Sequence, residues 1–273
     1  MSGEAARLWR LADAVGGVVR SAGRRVMAVY ATDFQVRRKR DETPVTSADL
    51  AAQAIIAEGL AALEPGLPVI SEEAAVAPFE QRARWPAHWL VDPLDGTRGF
   101  AARTGEFTVN VALVRDGRPI LGVVGVPVAE SCYAAVRAGG ARLEHADGAR
   151  QPIATRRLPR RQVVVLRSRT RRHANVDALV ARLGDVRVVV AGSSLKSCLV
   201  ARGVADLYPA FGPTSEWDTA ASQCLVEEAG GALTDLDLAP LRYNASASLE
   251  NPSFIAFGDP HADWRRLLEE SRS

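Results

Sequence analysis

The stretch Trp89-Leu90-Val91-Asp92-Pro93-Leu94-Asp95-Gly96-Thr97 decides how this 273-residue chain is read, because it sets two carboxylates three residues apart directly after a short apolar run. A buried strand ending at Asp92 would deliver one acid to the edge of a sheet, and Pro93 would turn the chain so that Asp95 returns beside it. Two carboxylates held this close repel each other. A proton relieves the repulsion, and so does a hard divalent cation such as Mg²⁺ in an all-oxygen site. Gly96 adds a tight backbone and Thr97 a hydroxyl. Taken alone, Asp-Pro and Asp-Gly are also ordinary turn formers.

Other acids at comparable places favour the metal reading. Glu72-Glu73 follows the apolar Leu67-Pro68-Val69-Ile70-Ser71, and Asp218 stands between Gly212-Pro213-Thr214-Ser215-Glu216-Trp217 and a helical run from Thr219 to Val226. Asp49 lies in Pro44-Val45-Thr46-Ser47-Ala48-Asp49-Leu50. Each has a structural alternative. Asp49 and Asp218 also read as first-turn helix acids, the latter beside a buried Trp217, and Glu72 as a loop charge.

The length allows a substantial core in one large domain or two closely packed halves. With 47% apolar and 24% charged residues, the composition is that of an ordinary globular protein, and a net charge of +2 is too small to imply nucleic acid as a partner. The basic runs carry neither interleaved aromatic residues nor a nucleic-acid motif. Cys132, Cys198 and Cys224 are widely spaced in apolar segments and read as buried free thiols. No apolar run is long enough for a transmembrane segment and the start lacks a signal-peptide pattern, so a cytoplasmic location is expected. A homo-oligomer stays open.

Leu8, Leu11, Val15, Val18, Ala22, Val26 and Val29 recur at helical spacing and predict a long amphipathic N-terminal helix. The basic run Arg37-Arg38-Lys39-Arg40 reads as a solvated loop, and a second helix begins after Thr46 or Ser47 and runs through Leu63. From Glu106 to Arg142 the pattern changes to strands at Phe107–Val114, Ile120–Val126 and Cys132–Val136, an antiparallel meander. Beyond about residue 160, strands at 163–166 and 186–190 alternate with helices at 176–183 and from Ser193-Ser194 onward. That is α/β structure. The Arg-rich stretch 156–161 marks the expected boundary between an N-terminal α+β subdomain with the metal-binding loops (1–160) and a C-terminal α/β subdomain with substrate-binding segments (161–273).

With Asp-Pro-Leu-Asp-Gly-Thr, Ser-Glu-Glu and Glu-Trp-Asp assembled in that order, the sequence resembles the lithium-sensitive, magnesium-dependent phosphatase superfamily of inositol monophosphatase, nearly end to end. Several stretches look most like its bacterial 3′(2′),5′-bisphosphate nucleotidases: Pro44-Val45-Thr46 with Ala48-Asp49-Leu50, Gly105 to Asn110, Gly192-Ser193-Ser194-Leu195-Lys196, and Gly212-Pro213-Thr214 with Trp217 to Ala221. The resemblance implies the layered α/β/α/β/α sugar-phosphatase fold. It also implies an enzyme that removes the 3′-phosphate of adenosine 3′,5′-bisphosphate, a small phosphorylated nucleotide, to leave AMP. Rival substrates are inositol phosphate, other sugar phosphates, histidinol phosphate and, with less support from the C-terminal segments, fructose bisphosphate. A silent nucleotide sensor would be expected to lack the acids present here.

Carried over position by position, the resemblance makes Glu72, Asp92, Asp95 and Asp218 side-chain ligands of two or three Mg²⁺ ions, with the Leu94 carbonyl also a ligand and Glu73 a solvent-exposed neighbour. Asp49 and Thr97 match the pair that takes a proton from the attacking water. Ser193, Ser194 and Lys196 match a segment that contacts the nucleotide, where free N–H groups at a helix start can hold a phosphate. Glu72, Asp95, Gly96, Thr97 and Asp218 are expected to border the substrate as well. Three departures stand out. Arg98-Gly99-Phe100 replaces the usual Lys-Glu-Phe, Ala210 replaces an arginine after Tyr208-Pro209, and Arg171-Arg172 separates Ser168-Arg169-Thr170 from His173.

Overall fold

A computed structural model describes residues 3–38, 44–158, 162–169 and 173–269. The expected N-terminal helix is α1 (Gly3–Tyr30), whose buried stripe includes Leu8, Ala12, Val15, Val19, Ala22, Val26 and Val29. It lies against α2 (Ser47–Leu63), which opens with a reciprocal cap between Thr46 and Asp49. Between them, β1 (Arg37–Arg38) pairs antiparallel with β2 (Pro44–Val45). The basic run therefore begins as a strand where a loop was expected, and Lys39 and Arg40 lie outside the described residues.

The first sheet has seven strands in the order β3 (Val69–Ser71), β4 (Ala87–Asp95), β5 (Thr108–Arg115), β6 (Arg118–Val126), β7 (Ser131–Val136), β8 (Gly140–Glu144) and β9 (Arg150–Ile153). From β4 to β9 it is the antiparallel meander expected from the alternating pattern, and β3 runs parallel to β4. The strand expected to end at Asp92 continues to Asp95, with an irregularity in its pairing between those two residues. Extra residues in one strand of a pair bend it and re-aim its side chains.

The second sheet is mixed. Its order is β11 (Val186–Ala191), β10 (Val163–Ser168), β12 (Leu207–Ala210), β14 (Phe254–Phe257) and β13 (Ala232–Asp235). β10 is parallel to β11 and β12, whereas β14 is antiparallel to both of its neighbours. The short helices α3 (Phe79–Arg82) and α4 (Thr97–Ala101) precede and follow β4, and helices α5 (Ala174–Arg182), α6 (Leu195–Ala201), α7 (Glu216–Glu228) and α8 (Trp264–Glu269) accompany the second sheet.

The period of two along each strand divides the interior into layers. On β4, Trp89 and Val91 join the core built with α1 and α2, while Leu90 faces the opposite core. That second core collects α6, α7 and the inner faces of both sheets through Val164, Leu166, Tyr208, Phe254 and Ala256. The alternate residues Val165, Leu207, Ile255 and Phe257 face outward against Leu179 of α5 and Trp264 of α8. The result is the α/β/α/β/α layering. The first sheet ends at Ile153 and the second begins at Val163. Between them, the Arg156 guanidinium is bidentate on buried Asp206, and Leu158 N–H donates to Asp259 at 2.9 Å.

Helix α7 lies between the sheets because β6 lets it come close. A Cβ on Gly122 would stand 2.5 Å from the Ala221 carbonyl oxygen, so only glycine fits without moving the helix. Gly122→Ala is expected to cost about 1–3 kcal/mol through overpacking, seen as a lower midpoint in urea denaturation. An unchanged midpoint would mean that α7 does not depend on this contact.

Candidate active site

Two elements far apart in the sequence bring the acids together. Asp92 and Asp95 come from the end of β4, and Asp218 from the first turn of α7. One carboxylate oxygen from each lies within 4.8 Å of the others, with Asp92 buried and the other two partly so. Burial and the nearby charges of Glu72, Asp95 and Asp218 push the Asp92 carboxyl well above its ordinary range. The same causes, burial foremost and then Asp95, push Asp218 up to about 8. Crowded oxygen donors with uncompensated charge are a fitting cradle for hard divalent cations. Glu72 lines the same cavity from the turn after β3 but lies outside this tight cluster. Glu73 does not line the cavity and is half-buried, where solvent exposure was expected.

Each acid is aimed by neighbours. Leu94 N–H donates to Asp92 Oδ1 at 3.0 Å. Ser194 gives Asp95 Oδ2 both its N–H, at 2.6 Å, and its hydroxyl, at 2.7 Å, with Thr108 and Asn110 at the far limit of hydrogen bonding. Asp218 Oδ2 accepts from Ser215 N–H at 2.8 Å, so this residue both caps α7 and belongs to the cluster. Gly96 is required at the turn: its φ is +92°, and a Cβ there would meet the Glu106 carbonyl oxygen at 2.9 Å.

Asp49 caps α2 and also reaches toward Thr97. Its Oδ2 accepts from the Thr46 N–H and hydroxyl, both at 2.7 Å, while its Oδ1 lies 3.3 Å from the Thr97 hydroxyl. The Thr97 hydroxyl carries one hydrogen and has two acceptors, Asp49 and the Leu94 carbonyl at 3.1 Å. Directed onto Asp49, that hydrogen leaves the Thr97 oxygen free to accept another.

The acids open into a cavity of about 610 Å³ that is also lined by Arg98, Arg167, Arg169, His173, Lys196 and Phe211. Lys196 is buried, donates to the Ser193 carbonyl at 2.6 Å and lies 4.8 Å from the centre of the Tyr208 ring. Ser193 holds a left-handed φ of +48°, which turns the chain into α6. The Ser194 N–H, expected to face a phosphate, is already given to Asp95; this serine supports a metal-type acid. His173 stacks on Phe211, with centroids 5.5 Å apart and planes at 24°. Thr170, Arg171 and Arg172 lie outside the described residues.

Two contacts within these segments were not anticipated from sequence. Glu106 and Arg169 form a bidentate pair at 2.6 and 2.7 Å that joins the loop before β5 to the end of β10. Asn110 Nδ2 donates to the Ser194 hydroxyl at 3.0 Å and holds it against Asp95. The Gly99 departure has a steric basis, because a Cβ there would lie 3.0 Å from the Thr104 hydroxyl and 3.2 Å from the Glu106 carbonyl. Arg98 and Ala210 both line the cavity.

Comparison with known proteins gives a consistent kinship. The sequence profile of the inositol monophosphatase family matches residues 10–266. The chain is 45% identical over 239 residues to the 3′(2′),5′-bisphosphate nucleotidase CysQ of Salmonella typhimurium, covering 87% of this chain and 95% of that protein. The crystal structure of CysQ from Bacteroides thetaiotaomicron, a bacterial member of the inositol monophosphatase family, superposes with a TM-score of 0.80 at 33% identity, covering 92% of this chain and 98% of that one. The inositol monophosphatase TM1415 of Thermotoga maritima shares the fold, with a TM-score of 0.78 at 24% identity over 96% and 98% of the two chains.

The acid cluster sets a pH dependence. Asp218 is raised from an ordinary 3.8 to about 8, so its contribution to stability is fully present below 3.8 and is lost as pH rises through about 8. A cation binding there displaces the proton. Calorimetric Mg²⁺ titrations are therefore expected to show proton release and an affinity that falls about tenfold per pH unit below that value for each proton displaced. A flat affinity across that range would contradict the clustering.

Proposed function

Because the chain belongs to the inositol monophosphatase family, we propose that it is a Mg²⁺-dependent phosphomonoester hydrolase that removes the 3′-phosphate of adenosine 3′,5′-bisphosphate to give AMP. The observation that carries this reading is the Asp92–Asp95–Asp218 cluster opening into the same cavity as Lys196, Arg167 and Arg169. A cavity lined by both metal-type acids and cations suits a molecule with two phosphates. The His173–Phe211 pair offers a flat surface for a base. Kinship to the Salmonella nucleotidase supports the same substrate class.

In this reading Glu72, Asp92, Asp95, Asp218 and the Leu94 carbonyl would hold the magnesium. The metal would supply charge neutralisation at the phosphate oxygens and a more acidic water. The protein's own groups then have separate tasks. Thr97 accepts a proton from the attacking water as its own hydrogen passes to Asp49, whose other oxygen is fixed by Thr46. Ser194 and Asn110 keep Asp95 turned toward the cluster. Lys196 provides a fixed positive charge on the cavity wall, beside Gly96 and Ser193.

Phosphate release measured with magnesium should be strongly faster from adenosine 3′,5′-bisphosphate than from inositol phosphate. Comparable rates, or a preference for inositol phosphate, would move the assignment to a sugar phosphatase of the same fold. Asp92→Asn is expected to lower kcat/KM by at least about 100-fold while the circular dichroism spectrum is retained. Activity near that of the parent protein would rule out a ligand role for Asp92.

A further inference from the structure

The connection between β13 and β14 wraps the start of α7. Within it, Leu249 to Asn251 runs beside Thr214 to Glu216: Glu216 N–H donates to the Leu249 carbonyl and Asn251 N–H to the Thr214 carbonyl, both at 2.8 Å. Ser215 and Glu250 form an antiparallel bridge between these two bonds. Earlier in the same connection, Asn244 N–H reaches both Glu216 carboxylate oxygens, at 2.9 and 2.8 Å, and the Tyr243 hydroxyl donates to Gln223 at 2.7 Å. The segment is thereby attached to the opening turns of the helix that bears Asp218.

The Asn251 side chain reaches closer to the acids. Its Nδ2 lies 2.6 Å from the Ser215 carbonyl, 3.0 Å from the Thr219 hydroxyl and 3.2 Å from the Thr214 hydroxyl. A side-chain amide has two N–H donors, so one hydrogen is shared between two of these acceptors. Ser215 is the residue whose N–H holds Asp218 Oδ2 at 2.8 Å, while its carbonyl takes the Asp218 N–H at 3.0 Å. Its extended backbone, with φ −107° and ψ 163°, is the conformation that this capping arrangement requires. A second donor on the Ser215 carbonyl fixes the orientation of that backbone, and with it the N–H that aims the carboxylate.

We propose that Asn251 is a positioning residue for the metal site, acting through Ser215 to hold the Asp218 carboxylate where a divalent cation can use it. The inference rests on the magnesium reading above. Asn251 does not line the cavity, so its effect reaches the site only through the residues it holds. Groups that orient a metal ligand from behind carry about 10–100-fold in metal affinity. Asp92 and Asp95 take their aiming donors from Leu94 and Ser194, which Asn251 does not touch. Loss of the Asn251 donors therefore weakens the cation binding that uses Asp218 and leaves the other two acids aimed as before.

The test is a calorimetric Mg²⁺ titration of the parent protein, Asn251→Ala, Asp218→Asn and the double variant. Asn251→Ala is expected to weaken Mg²⁺ binding about tenfold in the parent background and to make no further difference in the Asp218→Asn background. That pattern marks two residues acting through one another. At saturating Mg²⁺ the Asn251→Ala variant is expected to recover most of the parent kcat. Unchanged Mg²⁺ affinity in Asn251→Ala overturns the inference. An equal loss in both backgrounds does so too, because a general loosening of the fold would weaken binding whether or not Asp218 is present. Should the alanine variant not fold, Asn251→Leu, which keeps much of the side-chain volume without donors, carries the same expectations. A parent protein that binds no Mg²⁺ would instead overturn the metal reading itself, and this inference with it.

Discussion

Electrostatic crowding of three aspartates is the constraint to which the rest of this structure answers. Asp92, Asp95 and Asp218 are brought within 4.8 Å at the meeting of β4 and α7, where burial raises the cost of each negative charge. Such an arrangement survives folding only if the scaffold forces it and something compensates it. The forcing is visible in the donors committed to these acids from Leu94, Ser194 and Ser215. The close seat of α7 on Gly122 contributes as well. A proton or a hard divalent cation can supply that compensation.

The layering explains how distant segments cooperate. Both sheets contribute faces to the core around α6 and α7, so the acids on β4 and the lysine on α6 are held in one packed interior. The Glu106–Arg169 pair ties the two sides together at the cavity itself. At the far end of α7, the Glu228 carboxylate accepts the backbone N–H groups of Ala138, Gly139 and Gly140, which locks the helix to the turn between β7 and β8. Asp218 is thus placed by anchors at both ends of its helix.

Much of this was legible in the chain because the signals are local. The spacing of Asp92 and Asp95, the alternation through β5 to β7 and the helical stripe of α1 each depend on residues close in sequence. The order of the acid motifs carried the family resemblance that the comparisons bear out. What could not be read is non-local or depends on exact backbone direction. The Ser194 amide turns onto Asp95, 99 residues away, because Ser193 adopts a left-handed conformation that its residue type does not announce. The insertion of β14 between β12 and β13 leaves no periodic trace. Pro93 suggested a strand end at Asp92, yet the strand carries on through an irregular pairing to Asp95.

Anomalous diffraction from crystals grown with Mn²⁺ in place of Mg²⁺ asks whether these three aspartates hold a divalent cation together. Strong density is expected within coordination distance of carboxylate oxygens from Asp92, Asp95 and Asp218, accompanied by the Leu94 carbonyl or Glu72. Density elsewhere, with these carboxylates left unligated under saturating metal, would contradict it.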